Sequence, residues 1–99
     1  MYSYVYVMDV FRPIDMDFSK LTELALQDPQ ELFNEVKEIV EEYVGQVKHV
    51  RLLHKYIDTK HREAVIEYII NCSIGEVSVK IVHARNTLQI MRKFYKLHQ

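Results

Sequence analysis

The stretch VKHVRLLHKYIDTKHREAVIEYIINCSIGEVSVKI, residues 47–81, decides the fold, because its apolar residues fit helices and strands almost equally well. In Val47–Asp58, Val50, Leu53 and Ile57 make a helical stripe, whereas Val50, Leu52 and Tyr56 make one face of a strand. In residues 63–74, Val65, Tyr68, Ile69 and Cys72 mark a helix, yet Val65, Ile66, Ile69, Ile70 and Ile74 are the β-branched content of a buried strand. The basic-apolar alternation of the first segment and the β-branched richness of the second favour strands. Asp58-Thr59-Lys60-His61 supplies a turn between them, and residues 73–76, with Gly75, supply another. Val77, Val79 and Ile81 then alternate with Ser78 and Lys80 as a third strand. Strands joined by turns this short form an antiparallel meander.

Upstream, Asp28-Pro29-Gln30-Glu31 places a cap residue, a proline at the first helical position and a glutamate three residues after the cap. Leu32, Phe33, Val36, Ile39, Val40, Tyr43 and Val44 follow at three-and-four spacing, and Gly45 stands where a left-handed cap belongs, so a helix is expected over Pro29–Val44. Asp17 or Ser19 caps a shorter helix running through Leu26. Residues 2–11 alternate tyrosine with valine and serine. Tyr2, Tyr4, Tyr6, Met8 and Val10 share one face of a strand, and both of its faces are largely apolar, which suits a central strand. Arg12-Pro13 ends it.

Downstream, Asn86 caps an expected C-terminal helix with Leu88, Met91, Phe94 and Tyr95 on its apolar side and Arg92, Lys93 and Lys96 towards its negative end. The expected fold is therefore α+β, a single domain over residues 1–99: a four-stranded, mainly antiparallel sheet with three helices on one face, in the order β-α-α-β-β-β-α. The α-β-β-β-α order from Pro29 onward matches the topology of double-stranded RNA-binding domains. It shares neither their glycine-containing loop nor their lysine-rich final helix, so the likeness is one of order alone.

Composition narrows the class. The 99 residues are 48% hydrophobic and 11% aromatic with a net charge of -1, far from the composition of disordered chains. Two glycines and two prolines predict few, short loops. One cysteine, Cys72, excludes an intramolecular disulfide framework and any CxxC motif, and a reducing compartment follows. The opening lacks the basic and long apolar regions of a signal peptide, and no window reaches the roughly 20 apolar residues that span a bilayer.

Charge is distributed unevenly. Up to Val44 there are ten acidic and three basic residues; from Gly45 onward there are ten basic and four acidic, together with all five histidines. A nucleic-acid surface would draw on Lys48, Arg51, Lys55, Lys60 and Arg62 of the first hairpin and on Arg85, Arg92, Lys93 and Lys96 of the last element. The competing and favoured reading is mutual neutralisation, with the acidic helix beside the basic hairpin, since dedicated backbone binders carry a strongly basic net charge. Tyr2, Tyr4 and Tyr6 are candidates for self-association or core packing ahead of base stacking.

Catalytic chemistry finds no foothold. His49 and His54, five apart, fall on opposite faces of a regular strand, which denies them a shared metal ion. Glu35, Glu38, Glu41 and Glu42 line a solvated helix exterior, Cys72 sits among isoleucines as a small hydrophobe, and Ser3, Ser73 and Ser78 lack a nucleophile-elbow context. No cofactor, metal or small-molecule substrate is expected, and the chain is not expected to be an enzyme.

Three strings, MYSYVYVMDVFRPIDMDF, DPQELFNEVKEIVEEYVG and RNTLQIMRKFYKLH, give the chain a full-length resemblance to small conserved proteins of filamentous double-stranded DNA viruses of hot, acidic archaeal hosts, of the lipothrixvirus and rudivirus type. That family has no assigned activity, so the resemblance implies a viral protein in the host cytoplasm and adds no site residues. Scarce glycine, short loops and dense charge alternation on helix faces suit a thermostable protein. The expected function is a non-catalytic accessory or structural module that works through protein contacts as a homodimer; the alternative is a salt-sensitive nucleic-acid-binding domain using the basic C-terminal half.

Overall fold

The computed structural model describes residues 2–85 and 87–98, with side chains described for residues 10–84 and 87–91. Strand β1 (Tyr2–Pro13) leads into helices α1 (Phe18–Gln27) and α2 (Pro29–Val44), followed by β2 (Val47–Asp58), β3 (Glu63–Cys72), β4 (Gly75–Val82), a short 3₁₀ turn (His83–Arg85) and β5 (Thr87–His98). The five strands form one antiparallel sheet in the order β1-β5-β4-β3-β2.

Both helices start where side-chain oxygens meet orphan amides: Asp17 Oδ1 accepts from Lys20 N at 2.7 Å, and Asp28 Oδ1 from Glu31 N at 3.1 Å. Because β1 and β2 lie at opposite edges, the helical pair between them must cross the sheet, and it closes one face. Strand register puts Ile66 opposite Ile81, Tyr68 opposite Val79 and Val79 opposite Ile90, so one row of large side chains meets Leu21, Ala25, Leu32, Phe33, Val36 and Val40 of the helices. The Phe33 and Tyr68 rings meet edge to face at 5.2 Å, and the Tyr68 hydroxyl donates to the Pro29 carbonyl at 2.8 Å, tying the sheet centre to the start of α2. Burial pushes the Tyr68 phenol well above its ordinary value. Lys55 reaches over the core edge and donates to the Ala25 carbonyl at 2.6 Å, satisfying an acceptor in the last turn of α1.

The class is α+β, with an antiparallel sheet on which helices cover one face. Three details differ from the sequence reading. The C-terminal segment is a strand, β5, and not a helix: Leu88 and Ile90 are fully buried while Gln89 and Met91, alternating with them, are only partly so, and the segment pairs on both sides, with β1 and β4. The sheet thus has five strands and two helices. Asn86, the expected cap of that helix, lies outside the described residues. β1 stands at an edge rather than in the centre. Finally, β2 carries register shifts between Val47 and His49 and between Leu52 and His54. The second moves Tyr56 off the face shared by Val50 and Leu52, since an added residue reverses the alternation.

Connections are short. At the α2-β2 junction Gly45 has φ 77°, in the left-handed region. There Val47 N donates to Glu41 Oε2 at 2.9 Å, Gln46 N to Ser73 Oγ at 3.0 Å, and Ser73 N to the Gln46 carbonyl at 3.1 Å. A Cβ on residue 45 would stand 2.8 Å from Ser73 Cβ and 2.9 Å from its Oγ. Gly45→Ala therefore adds a clash to an unfavourable backbone state, and a loss of about 1–3 kcal/mol is expected. Thermal unfolding should register it as a fall in Tm of roughly 4–8 °C per kcal/mol.

Candidate binding face

The sheet face away from the helices has no covering layer among the described residues. β2 contributes His49, Arg51, His54 and Tyr56 to it, β3 contributes Glu63, Val65, Glu67, Ile69 and Asn71, β4 contributes Glu76, Ser78, Lys80 and Val82, β5 contributes Gln89, and β1 contributes Phe11. Phe11 and Tyr56 are 58% and 55% exposed, and Leu53, bulged out at the second register shift, is 45% exposed. Shallow grooves run over the surface. One of about 290 Å3 is bounded by Arg51, Leu53, Ile69, Glu76 and Ser78 with Glu67 in its wall, and one of about 400 Å3 lies between Tyr56, Val65, Lys80, Val82 and Gln89.

At the centre of this face a carboxylate is buried. Glu67 is 8% exposed, and it accepts from Ser78 Oγ and, at 2.8 Å, from His54 Nε2. Burial is the largest influence on Glu67 and raises its pKa, but the hydrogen bonds from Ser78 and His54, with the charge of Lys80 opposite, outweigh it and hold the carboxyl below its ordinary value. Glu67 is then ionised and can only accept, so His54 Nε2 carries the hydrogen. His54, Glu67 and Ser78 come from β2, β3 and β4, and they stitch three adjacent strands together.

That order decides what the cluster can do chemically. Activating a serine needs an imidazole between hydroxyl and carboxylate, taking the proton while the acid orients it. Here the carboxylate lies in the middle, and Ser78 gives its hydrogen to Glu67 without touching His54. The arrangement is a charged staple. Cys72 is buried, and its Sγ donates to the Gly75 carbonyl at 3.1 Å. No group of three or more metal-ligating side chains occurs among the described residues. The Leu52/His54 shift nevertheless corrects one expectation: with His49 opposite Asn71 and His54 opposite Glu67, both histidines are on the uncovered side.

Of the residues singled out for nucleic acid, the described ones do not converge. Arg51 lies on the uncovered face, whereas Lys55 is on the helix side, bonded to Ala25. Lys48 is on the edge strand, and Lys60 and Arg62 are in the β2-β3 turn. Arg62 has φ 54° there, and its guanidinium lies 5.3 Å from the centroid of the Phe18 ring, while Asp58 anchors the turn by accepting from His61 N at 3.1 Å and from its Nδ1 at 2.7 Å. Arg85 ends the 3₁₀ turn, and Arg92, Lys93 and Lys96 belong to β5; the side chains of these four, like those of Tyr2, Tyr4 and Tyr6 in β1, lie outside the described ones. Although α2 packs against β2, the ion pairs among the described residues stay within each half of the sequence: Arg12 with Glu42, Lys20 with Glu35, His54 with Glu67 and His61 with Asp58.

The reading from sequence missed Glu67 and set Ser78 aside. The signal was register: once Cys72 is opposite Gly75 across the turn, Glu67 falls opposite Lys80 and diagonal to Ser78. Comparison with protein families, with curated proteins and with solved structures finds no match to this chain.

Glu67→Gln leaves His54 and Ser78 around a weaker acceptor, and a loss of about 1–3 kcal/mol at neutral pH is expected. The lowered pKa makes this contribution full above the unfolded value, near pH 4.5, and lost as pH falls through the folded value. Chemical denaturation at pH 7 and pH 2 should show the wild-type advantage over Glu67→Gln narrowing in acid.

Proposed function

We propose that the chain is a non-catalytic interaction module that works through protein contacts and self-associates, serving as an accessory or structural protein of a filamentous virus of thermoacidophilic archaea. The observation that carries the self-association is the far end of the β1-β5 ladder. β4 pairs with β5 from Thr87 to Arg92, whereas β1 continues along β5 through the six rungs from Val7 opposite Lys93 to Tyr2 opposite His98. Those rungs form a two-stranded ribbon projecting from the sheet, in keeping with the 47 × 25 × 22 Å extents of the molecule. A lone two-stranded ribbon is marginal in water, and three or more strands or a packed face are needed for stability. Its β1 half is strongly β-forming and uncharged, with Tyr4, Val5, Tyr6 and Val7 opposite Lys96, Tyr95, Phe94 and Lys93 across the ladder. A second chain answers both needs.

The virus setting rests on the resemblance of the sequence. Against the nucleic-acid alternative stands the dispersal of the cations: Lys55 is engaged with a helix carbonyl, Arg62 with Phe18, and the uncovered face mixes Arg51 and Lys80 with Glu63, Glu67 and Glu76.

Light scattering after size exclusion, run over a dilution series, should give twice the chain mass. A monomer at every concentration would overturn self-association. Anisotropy titration of labelled duplex and single-stranded DNA and RNA should show no tight binding at low salt; binding that falls by about a thousandfold between 50 and 200 mM salt would put the alternative in its place.

A further inference from the structure

The sheet has two free edges, built differently. β2 is interrupted by two register shifts and carries Lys48, Arg51 and Lys55. Bulges and lysines are the devices by which edge strands refuse further pairing. β1 has neither: its twelve rungs with β5 run from Pro13 to Tyr2 without a shift, and residues 2–8, YSYVYVM, hold no charge. One row of its amides and carbonyls faces away from β5 with no strand beside it, because β1 ends the sheet order. Asp9, Arg12 and Pro13 lie at the inner end, so residues 2–8 present a regular, uncharged edge rich in tyrosine and valine, a template for another strand.

We infer that β1 pairs antiparallel with β1 of a second copy about a two-fold axis, joining two five-stranded sheets edge to edge. This rests on the self-association proposed above and specifies its geometry. Three observations select a second copy as the occupant. Symmetric pairing converts each marginal two-stranded ribbon into a four-stranded one, β5-β1-β1-β5, supplying what the six outer rungs lack. It brings uncharged residues opposite uncharged residues, so no buried charge is left unpaired. It also closes: the contact consumes the same edge on both chains and leaves only the two guarded β2 edges, so assembly stops at the dimer and does not run on as a fibre.

Cysteine scanning tests this. In antiparallel pairing about a two-fold axis one residue of β1 lies opposite its own copy, close enough for a disulfide. Single substitutions Tyr4→Cys, Val5→Cys, Tyr6→Cys and Val7→Cys should give disulfide-linked dimer that peaks at one position and declines to either side, while Lys48→Cys on the β2 edge gives none. Val5→Pro and Tyr6→Pro add a backbone readout. Successive amides alternate in direction along a strand, so one of the two prolines removes a bond to β5 and the other only a bond to the partner. The second kind should keep the wild-type far-ultraviolet spectrum while the dimer dissociation constant rises by at least about tenfold. A chain that is dimeric by mass, yet cross-links at no β1 position and dimerises equally well with either proline, overturns the β1 pairing and leaves self-association standing. A chain that is monomeric throughout overturns both.

Discussion

Insertion of β5 between β1 and β4 is the pairing on which the rest of the architecture depends. Without it the N-terminal strand has no partner, and the meander of β2, β3 and β4 lacks the row formed by Leu88 and Ile90. With β5 in place, β1 and β2 become opposite edges, and the segment between them has to traverse the full width of the sheet. Two helices in series do this, and their buried stripes close the core over Ile66, Tyr68, Val79, Ile81 and Ile90. The uncovered face, the projecting ribbon and the inequality of the two edges all follow from that one strand placement.

What could be read locally was read well, and what needed partners was not. Asp28-Pro29 and Gly45 bound α2 because capping oxygens, a proline at the first turn and a left-handed glycine act within a few residues of chain. The meander was legible because its turns are short and its strands β-branched. β5 was not, since Leu88, Met91 and Tyr95 lie at helical spacing just as Leu88 and Ile90 lie at strand spacing, and isolated residues cannot say which. Two open ladders, β1 and β4, settle it: a strand between them gives Thr87–Arg92 partners on both sides and closes the facing rows of β1 and β4, which a helix could not do for its neighbours. The bulge at Leu52/His54 likewise leaves no local mark, yet it redistributes every side chain after it, placing His54 and Tyr56 on the uncovered side that His49 already shares.

The Glu67 staple shows how the same physics hid the most distinctive polar group. On the sequence Glu67 is one carboxylate between Ile66 and Tyr68, at the point where a strand alternates between its two faces. In the fold it is nearly sealed from water, and the desolvation that would neutralise it is answered by a hydroxyl, an imidazole and a facing lysine drawn from neighbouring strands. A buried ionised group of this kind is tolerated only while all its partners hold, so it ties the register of β2, β3 and β4 together on the side where no helix packs.

The same view gives a second meaning to the charge asymmetry of the chain. Cations gathered after Gly45 look like a phosphate-binding patch when counted along the sequence. In the sheet, Lys48, Arg51 and Lys55 belong to one edge strand, where charge and two bulges keep foreign strands away, while the other edge has no register shift and no charge over residues 2–8, its Asp9 and Arg12 lying at the inner end. Edge protection needs cations along a single strand and is indifferent to net charge. A nucleic-acid groove needs them to converge from several elements on a surface free of carboxylates. Among the described cations the distribution suits the first requirement better, since Lys55 turns to Ala25, Arg62 to Phe18, and Arg51 shares its groove with Glu67 and Glu76.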